Sequence, residues 1–169
     1  FETIHTKDEF LGYPVRPISE YNPEFVYHIA IGNEKVRKQI VESLPRETIW
    51  LTLVDPSATI GNDVKIGEGS FIGQHSIITE GVSIGKHTHL NIHCTVSHDA
   101  TCGDYMTMAP GARIMGGCEI GEEVYLGASS AVKDKVKVTS DVVIGMGAMV
   151  VKDIIEPGTY VGVPAKKLK

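Results

Sequence analysis

Residues 60–85 read IGNDVKIGEGSFIGQHSIITEGVSIG, a six-residue pattern repeated without interruption. Each repeat begins with a large apolar residue, here called the anchor, and a glycine often follows it. A period of six is not helical, because apolar residues recur every three to four positions along an amphipathic helix. It favours short strands joined by tight turns. The sixteen anchors are Ile60, Ile66, Ile72, Ile78, Ile84, Leu90, Val96, Cys102, Met108, Ile114, Ile120, Leu126, Val132, Val138, Ile144 and Val150.

The residues around the anchors support the same interpretation. We expect the glycine after an anchor to supply the permissive backbone that a turn needs. Small or β-branched residues lie two positions before many anchors, and Cys94 and Cys118 are among them. The third cysteine, Cys102, is itself an anchor. These positions predict three free cysteines in the core, which fits a reducing cytoplasm.

The pattern resembles the hexapeptide repeat of left-handed parallel β-helices, in which three repeats close one triangular coil of about 18 residues. The resemblance implies a mainly β fold, with one left-handed prism over residues 60–150 and the anchors pointing inward. At about 4.8 Å per coil, a little over five coils make a prism roughly 25 Å long. Such prisms commonly pack through their flat faces, so we expect a homotrimer.

The two ends of the chain depart from the repeat. Residues 25–31 (FVYHIAI) predict a buried strand, and Asn33 is placed to cap a helix that ends at Leu44. We therefore expect a partial α/β domain over residues 1–47 and the β-helix with its tail over residues 48–169. Because so small a unit cannot bury a core and the first residue is Phe1, we expect the true N-terminus to lie upstream. Near the other end, Val163-Pro164-Ala165 predicts a rigid, extended exit.

Composition restricts the classes of partner. The net charge of −5, without a large basic cluster, argues against nucleic acid. No apolar run approaches the roughly 20 residues of a membrane-spanning helix, and no signal peptide is visible. Residues 130–169 contain seven lysines and four acidic residues. That excess of positive charge favours an anionic small molecule, although a solvated tail explains it equally well.

Five histidines fall within the repeats, at positions 75, 87, 89, 93 and 98. Most histidines on the outer surface of such a prism are merely solvated, but His98 is followed directly by Asp99. A neighbouring carboxylate can fix the tautomer of an imidazole and make it a general base, provided that the pair lies at a corner of the prism. Gly116 lies 18 residues after His98 and would stack beside it. Its amide could hold an oxyanion, or the glycine could simply serve a turn.

Two longer segments carry a more specific resemblance. They are residues 91–112 (NIHCTVSHDATCGDYMTMAPGA) and residues 150–167 (VVKDIIEPGTYVGVPAKK). Both resemble the bacterial sugar acetyltransferases of the sialic acid O-acetyltransferase and UDP-4-amino-sugar N-acetyltransferase type. The closing GVPAK is shared by many hexapeptide acyltransferases, so it indicates use of an acyl-CoA without indicating the acceptor.

The resemblance implies a function and a set of site residues. The chain would move an acetyl group from acetyl-CoA to a sugar or nucleotide-linked sugar in the cytoplasm, with His98 as the base, Asp99 tuning it, and no metal. Acetyl-CoA would lie in a groove between two subunits, and the residues at its contact positions are Thr107, Gly116, Ala128 and Met146. The family's glycine-rich nucleotide-sugar loop is not among these residues. The acceptor, and the choice between amine and hydroxyl, therefore stay open.

Two other functions fit parts of the sequence. His75, His93 and His98 could form an open zinc site like that of a γ-type carbonic anhydrase. However, the ligand order and the early Arg and Asp signature of that family do not match. A non-catalytic trimeric scaffold would need only the prism, but it leaves the His98–Asp99 pair and the acyltransferase-like C-terminus unexplained.

Overall fold

A computed structural model describes residues 9–168 of the chain. No helix within those residues is both long and apolar enough to cross a membrane. A small unit precedes the prism and contains one α-helix. Its elements are β1 (Glu9–Phe10), β2 (Tyr13–Pro14), a short 3-10 helix (Ile18–Glu20), β3 (Val26–Tyr27), α1 (Glu34–Ser43) and β4 (Ile49–Trp50).

The rest of the described chain winds into a three-sided prism, whose sides we call faces A, B and C. Face A comprises β5 (Leu53–Val54), β8 (Phe71–Ile72), β11 (His89–Leu90), β14 (Thr107–Met108), β17 (Tyr125–Leu126), β20 (Val142–Ile144), β22 (Gly158–Val161) and β23 (Lys166–Lys167). Face B comprises β6 (Thr59–Ile60), β9 (Ile77–Ile78), β12 (Thr95–Val96), β15 (Arg113–Ile114), β18 (Ala131–Val132) and β21 (Met149–Val150). Face C comprises β7 (Lys65–Ile66), β10 (Ser83–Ile84), β13 (Thr101–Cys102), β16 (Glu119–Ile120) and β19 (Lys137–Val138).

The hexapeptide β-helix predicted from the repeat is confirmed. Strands on each face pair in parallel with the strand 18 residues away, as Ile84 does with Cys102. Fourteen of the sixteen anchors are buried and form one continuous core. Ile60 and Ile66 are the two that stay partly exposed, because they lie at the open N-terminal end of the prism. Neighbouring faces meet at corners, which we name AB, BC and CA.

The C-terminal end of the prism differs from the prediction. Ile154 bridges to Val138, and Tyr160 pairs with Ile144, so each lies 16 residues after its partner instead of 18. The last coil is therefore two residues short. Val163-Pro164-Ala165 is not an extended exit. It lies in the turn that joins β22 to the antiparallel β23, and the prediction was wrong because that strand pairing folds the chain back.

The glycines that follow the anchors have a different role from the one predicted. The left-handed backbone of each corner lies three residues after the anchor, at every such position from 63 to 147. Glycines directly after anchors, such as Gly67 and Gly103, lie outside the left-handed region. A Cβ on Gly67 would lie 2.5 Å from the backbone nitrogen of Lys86 in the next coil. These glycines therefore permit close stacking of coils.

The unit before the prism follows the prediction in its helix. The Asn33 side chain accepts a hydrogen bond from the Val36 amide at 2.9 Å, and α1 continues to Ser43 with Leu44 as its C-terminal cap. The predicted strand over residues 25–31 is shorter than expected, because only Val26–Tyr27 pairs with β4. The domain division at residues 47 and 48 stays a prediction.

One arginine of α1 holds the unit against the prism. Arg37 is fully buried, and its guanidinium makes five hydrogen bonds. It donates to the carbonyl of His87 at 2.7 Å and to that of Tyr105 at 2.8 Å, both on the prism. It also donates to the carbonyl of Ile31 at 2.6 Å. The outward residues His89 and Thr107 of face A are thereby buried, whereas the outward residues of faces B and C are exposed or partly exposed.

Candidate active site

His98 and Asp99 form the turn at corner BC, between β12 and β13. Asp99 has a left-handed backbone, with φ of 58°. This conformation turns its side chain toward the preceding residue, although neighbouring side chains of a regular strand point to opposite faces. His98 Nδ1 and Asp99 Oδ2 are 2.9 Å apart, and both side chains are exposed. The corner that the pairing required is therefore present.

This contact determines which nitrogen of His98 can act as a base. When Nδ1 carries the ring proton, it donates to the carboxylate of Asp99, and Nε2 keeps a free lone pair. The carboxylate also stabilises the imidazolium that forms after Nε2 takes up a proton. The pair can thus accept a proton from a nucleophile that approaches from solvent.

Gly116 lies directly beside the free nitrogen of His98. A Cβ on Gly116 would lie 2.5 Å from Nε2, so any other residue there would displace the ring. The next amide, that of Gly117, donates to the His98 carbonyl at 2.8 Å. Within residues 9–168, the Gly116 amide itself has no hydrogen-bond acceptor. It remains available to a negative charge that develops next to Nε2.

The other predicted contact residues lie elsewhere on the prism. Ala128 and Met146 occupy corner AB one coil apart, and the Gly147 amide donates to the Ala128 carbonyl at 2.9 Å. The Met146 side chain is highly exposed. Thr107 lies on face A, where its hydroxyl accepts from Arg37 and donates to the Gly32 carbonyl, both at 2.9 Å. Within one subunit, the base and these residues are not brought together.

Face B separates the two groups. Corner BC, with His98 and Gly116, forms one long edge of this face, and corner AB, with Ala128 and Met146, forms the other. The outward residues of face B are Thr59, Ile77, Thr95, Arg113, Ala131 and Met149. Only one of them is charged, and Ile77 and Met149 are exposed apolar side chains. Face C instead exposes Lys65 and the ion pair between Lys137 and Glu119.

The three histidines of the zinc alternative do not converge in one subunit. His75 and His93 stack on corner AB, with ring centroids 5.2 Å apart. His98 lies on corner BC, across face B from both. The described part of the chain holds no group of three or more potential metal ligands. The five-residue spacing between His93 and His98 was misleading, because over that length the chain leaves corner AB, crosses face B and reaches corner BC.

Two histidines that sequence reasoning treated as solvated are buried. His87 and His89 are 2% and 8% exposed, because the unit before the prism covers them. Burial lowers the pKa of His87 to about 4 and that of His89 to about 3, and Arg37 contributes to the shift of both. His87 occupies the same turn position of the repeat as His75 and His93, three residues after an anchor, whereas His89 lies on strand β11 of face A. The burial of His87 and His89 depends on α1, which is distant in sequence.

A cleft of about 290 Å³ opens between the covering unit and face A. His28 and Phe71 line it together with His89 and Thr107. The His28 ring stacks on that of His89 at a centroid distance of 5.4 Å, and Phe71 meets His89 edge-on at 6.1 Å. The cleft therefore presents aromatic surfaces beside a few polar groups, and the imidazole of His89 is neutral there because burial lowers its pKa to about 3.

Comparison with known proteins supports the family resemblance. The model for the hexapeptide repeat of succinyl-transferase matches residues 63–90 and 118–152. GDP-perosamine N-acetyltransferase from Escherichia coli is 32% identical over 122 residues, covering 72% of this chain and 55% of that protein. The chain thus spans about half the length of this curated relative.

Alignments with solved structures cover a larger share of both chains. The acetyltransferase domain of PglB from Neisseria gonorrhoeae, in complex with acetyl coenzyme A, is 31% identical with a TM-score of 0.91. The alignment covers 98% of this chain and 83% of that one. The chain belongs to the hexapeptide-repeat sugar N-acetyltransferases. WeeI from Acinetobacter baumannii is 34% identical, with a TM-score of 0.88 and coverage of 95% and 80% of the two chains.

A third structure adds ligands to this family. A mutant of perosamine N-acetyltransferase from Caulobacter crescentus, in complex with CoA and GDP-perosamine, is 27% identical with a TM-score of 0.79. It is aligned over 82% of this chain and 67% of that one. The solved structures of these relatives thus include complexes with acetyl coenzyme A, with CoA and with GDP-perosamine.

Proposed function

We propose that the protein transfers the acetyl group of acetyl-CoA to the amine of a nucleotide-linked sugar. The observation that carries this proposal is the His98 ring, with Nδ1 2.9 Å from Asp99 and Nε2 directly beside Gly116. An amine acceptor is favoured over a hydroxyl because the relatives named above include enzymes for perosamine, an amino sugar. Three free, buried cysteines fit the reducing cytoplasm in which we place the reaction.

In this mechanism His98 Nε2 takes a proton from the amine as its nitrogen attacks the acetyl carbonyl. A carbon–nitrogen bond forms, and the carbonyl oxygen becomes negative within reach of the Gly116 amide. When the carbon–sulfur bond breaks, the thiolate leaves and takes the proton from His98. Asp99 stabilises the imidazolium between these two steps.

The proposed enzyme is a homotrimer packed through face B. A threefold axis parallel to the prism, beside face B, brings corner BC of each subunit against corner AB of the next. His98 and Gly116 of one subunit then face Ala128 and Met146 of its neighbour. Because face B is the least charged uncovered side, it is also the side best suited to burial.

In the trimer, acetyl-CoA would occupy the groove between the two corners. Ala128 and Met146 lie C-terminal to the level of His98, so the bound molecule would extend toward the last coils. Lys133 and Lys135 lie near that end of corner BC, where positive charge suits the phosphates of CoA. Thr107 begins β14 on face A, directly after corner CA, and its predicted contact with acetyl-CoA stays a prediction.

The acceptor would bind mainly through the unit before the prism, assigned to residues 1–47. The cleft lined by His28, Phe71 and His89 lies at the junction of that unit with the prism. Its aromatic surfaces suit the apolar face of a sugar ring, and Asn91 supplies a polar group at its edge.

A thiol-release assay with acetyl-CoA tests the proposal. Nucleotide-linked sugars that carry an amine should release CoA thiol, and counterparts with a hydroxyl at the same carbon should release much less. His98→Ala should lower kcat by about 10²- to 10⁴-fold while acetyl-CoA binding, measured by calorimetry, stays close to that of the wild type. Asp99→Asn should cost less. Undiminished activity of His98→Ala, or no turnover with any amino sugar, would contradict the proposal.

A further inference from the structure

From residue 63 to residue 147, the second turn residue of each corner has a left-handed backbone, yet glycine is not required there. Ten residues other than glycine occupy such positions between 63 and 141, with φ of 51° to 60°. Asp63 and Lys135 are two of them, and both lie on corner BC. Five glycines share the position, with φ of 66° to 72°. Backbone conformation therefore does not explain why a particular corner has a glycine.

The glycines at these turns differ in the free space beside them. A Cβ on Gly111 would lie 3.5 Å from Ser129 Oγ, which is an ordinary contact, and one on Gly147 would meet nothing within 4 Å. A Cβ on Gly81, however, would lie 2.9 Å from Asp99 Oδ1. Real Cβ atoms do not approach other atoms this closely. At Gly81, the missing side chain leaves the space that a carboxylate oxygen occupies.

Gly81 and Asp99 occupy the same turn position of corner BC in successive coils. The Asp99 amide donates to the carbonyl of Glu80 at 3.1 Å, which fixes the backbone of Asp99 beside this earlier turn. Its carboxylate lies back over Gly81 with Oδ1 while Oδ2 reaches His98 Nδ1. The pair is thus bracketed by two glycines, Gly81 in the preceding coil and Gly116 in the following one.

We propose that Gly81 is a positioning residue for the reaction, acting through Asp99. A side chain at this position would push the carboxylate away from His98 Nδ1, so that the ring would lose its preferred tautomer and the support of the negative charge. This inference rests on the proposed role of His98 as the base. It adds a residue that contacts neither substrate and whose contribution is the absence of a side chain.

Gly81→Ala tests the inference, and Gly111→Ala is the control for stability alone, because it also places a Cβ at a left-handed position but lies on corner AB, which the proposed trimer sets at the groove. Both variants should lose similar amounts of stability on thermal unfolding. Gly81→Ala should lower kcat by about 10- to 100-fold, the size of effect expected from a misplaced catalytic group, with KM for acetyl-CoA nearly unchanged. In an Asp99→Asn background, Gly81→Ala should cause little further loss, because the contact it disturbs is already altered.

A spectroscopic measurement separates this inference from the proposed function. Nitrogen NMR of histidine-labelled protein reports the tautomer of His98, which should favour a proton on Nδ1 in the wild type and lose that preference in Gly81→Ala. If the ring signals change but no amino sugar is acetylated, the positioning role stands and the proposed reaction falls. Unchanged ring signals and kcat in Gly81→Ala would overturn the inference, as would fully additive losses with Asp99→Asn. Gly81→Asn repeats the test at lower backbone cost if the alanine variant folds poorly.

Discussion

Faces A and B of the prism are built from the same repeat, yet their outer residues have different environments. On face A, His89 and Thr107 lie beneath the unit before the prism. The fully buried guanidinium of Arg37 donates hydrogen bonds to neighbouring backbone carbonyls. On face B, Ile77 and Met149 are exposed within the subunit, and the residues proposed for catalysis line both edges. The repeat determines the backbone of both faces, but what covers each face depends on another part of the chain or, in the proposed trimer, on another subunit.

A charge placed on face B should have the largest effect. Ile77→Glu would bury an unpaired carboxylate at each interface of the proposed trimer, which costs several kcal/mol. We expect the trimer to dissociate, with at least about a 100-fold loss of activity, while circular dichroism shows an intact prism. Light scattering measures the assembly. Ser83→Glu, in the adjacent strand of face C, should remain trimeric and active. Equal behaviour of the two variants would place the interface elsewhere.

Removing the buried arginine should destabilise face A. Arg37→Leu would leave the carbonyls of His87, Tyr105 and Ile31 without their donor, and we expect a loss of about 3–5 kcal/mol in the free energy of unfolding. Arg16→Leu is the control, because Arg16 is exposed and, among residues 9–168, forms an ion pair with Glu20 alone. It should cost less than about 1 kcal/mol. Urea unfolding of both variants checks this. A small effect of Arg37→Leu would mean that the covering unit is held in another way.

Acid should lower the free energy of unfolding by a smaller amount, through the buried histidines of face A. The pKa of His89 is lowered to about 3 by burial, whereas the ordinary histidine value is 6.5. Below about pH 6.5 the unfolded chain therefore binds the proton first, and stability falls as the pH drops toward the pKa of the folded state. The slope should approach 1.4 kcal/mol per pH unit for a fully buried histidine.

Two substitutions isolate that effect. His89→Phe should roughly halve the pH dependence of urea unfolding between about pH 6.5 and 4, because His87, whose pKa is lowered to about 4, still contributes. His93→Phe, at an exposed position on corner AB, should leave it unchanged. If the two variants keep the same slope as the wild type, protonation of His89 does not contribute to acid sensitivity.

The contrast also explains which features were predictable from sequence. The anchors and the stacking of Gly116 beside His98 follow from a local period, since each coil repeats the geometry of the last. The corner at His98 was a condition of its pairing with Asp99, and the coordinates were needed to show it. The burial of His87 and His89 does not, because it depends on α1, about 50 residues earlier in the chain. The tight stacking of coils at Gly67, where a turn was expected, and the shortened last coil also needed coordinates. They depend on distances between neighbouring coils.

Subunit mixing tests the central claim, that one subunit supplies the base and the next supplies the groove. His98→Ala lacks the base, and Ala128→Trp blocks the groove, so neither variant alone should be active. Every mixed trimer contains one interface that pairs the intact His98 corner of one chain with the open Ala128 corner of the other. After equal mixing and proven subunit exchange, about a quarter of wild-type activity should return. No return of activity after proven exchange would place the base and the groove in the same chain and contradict the account.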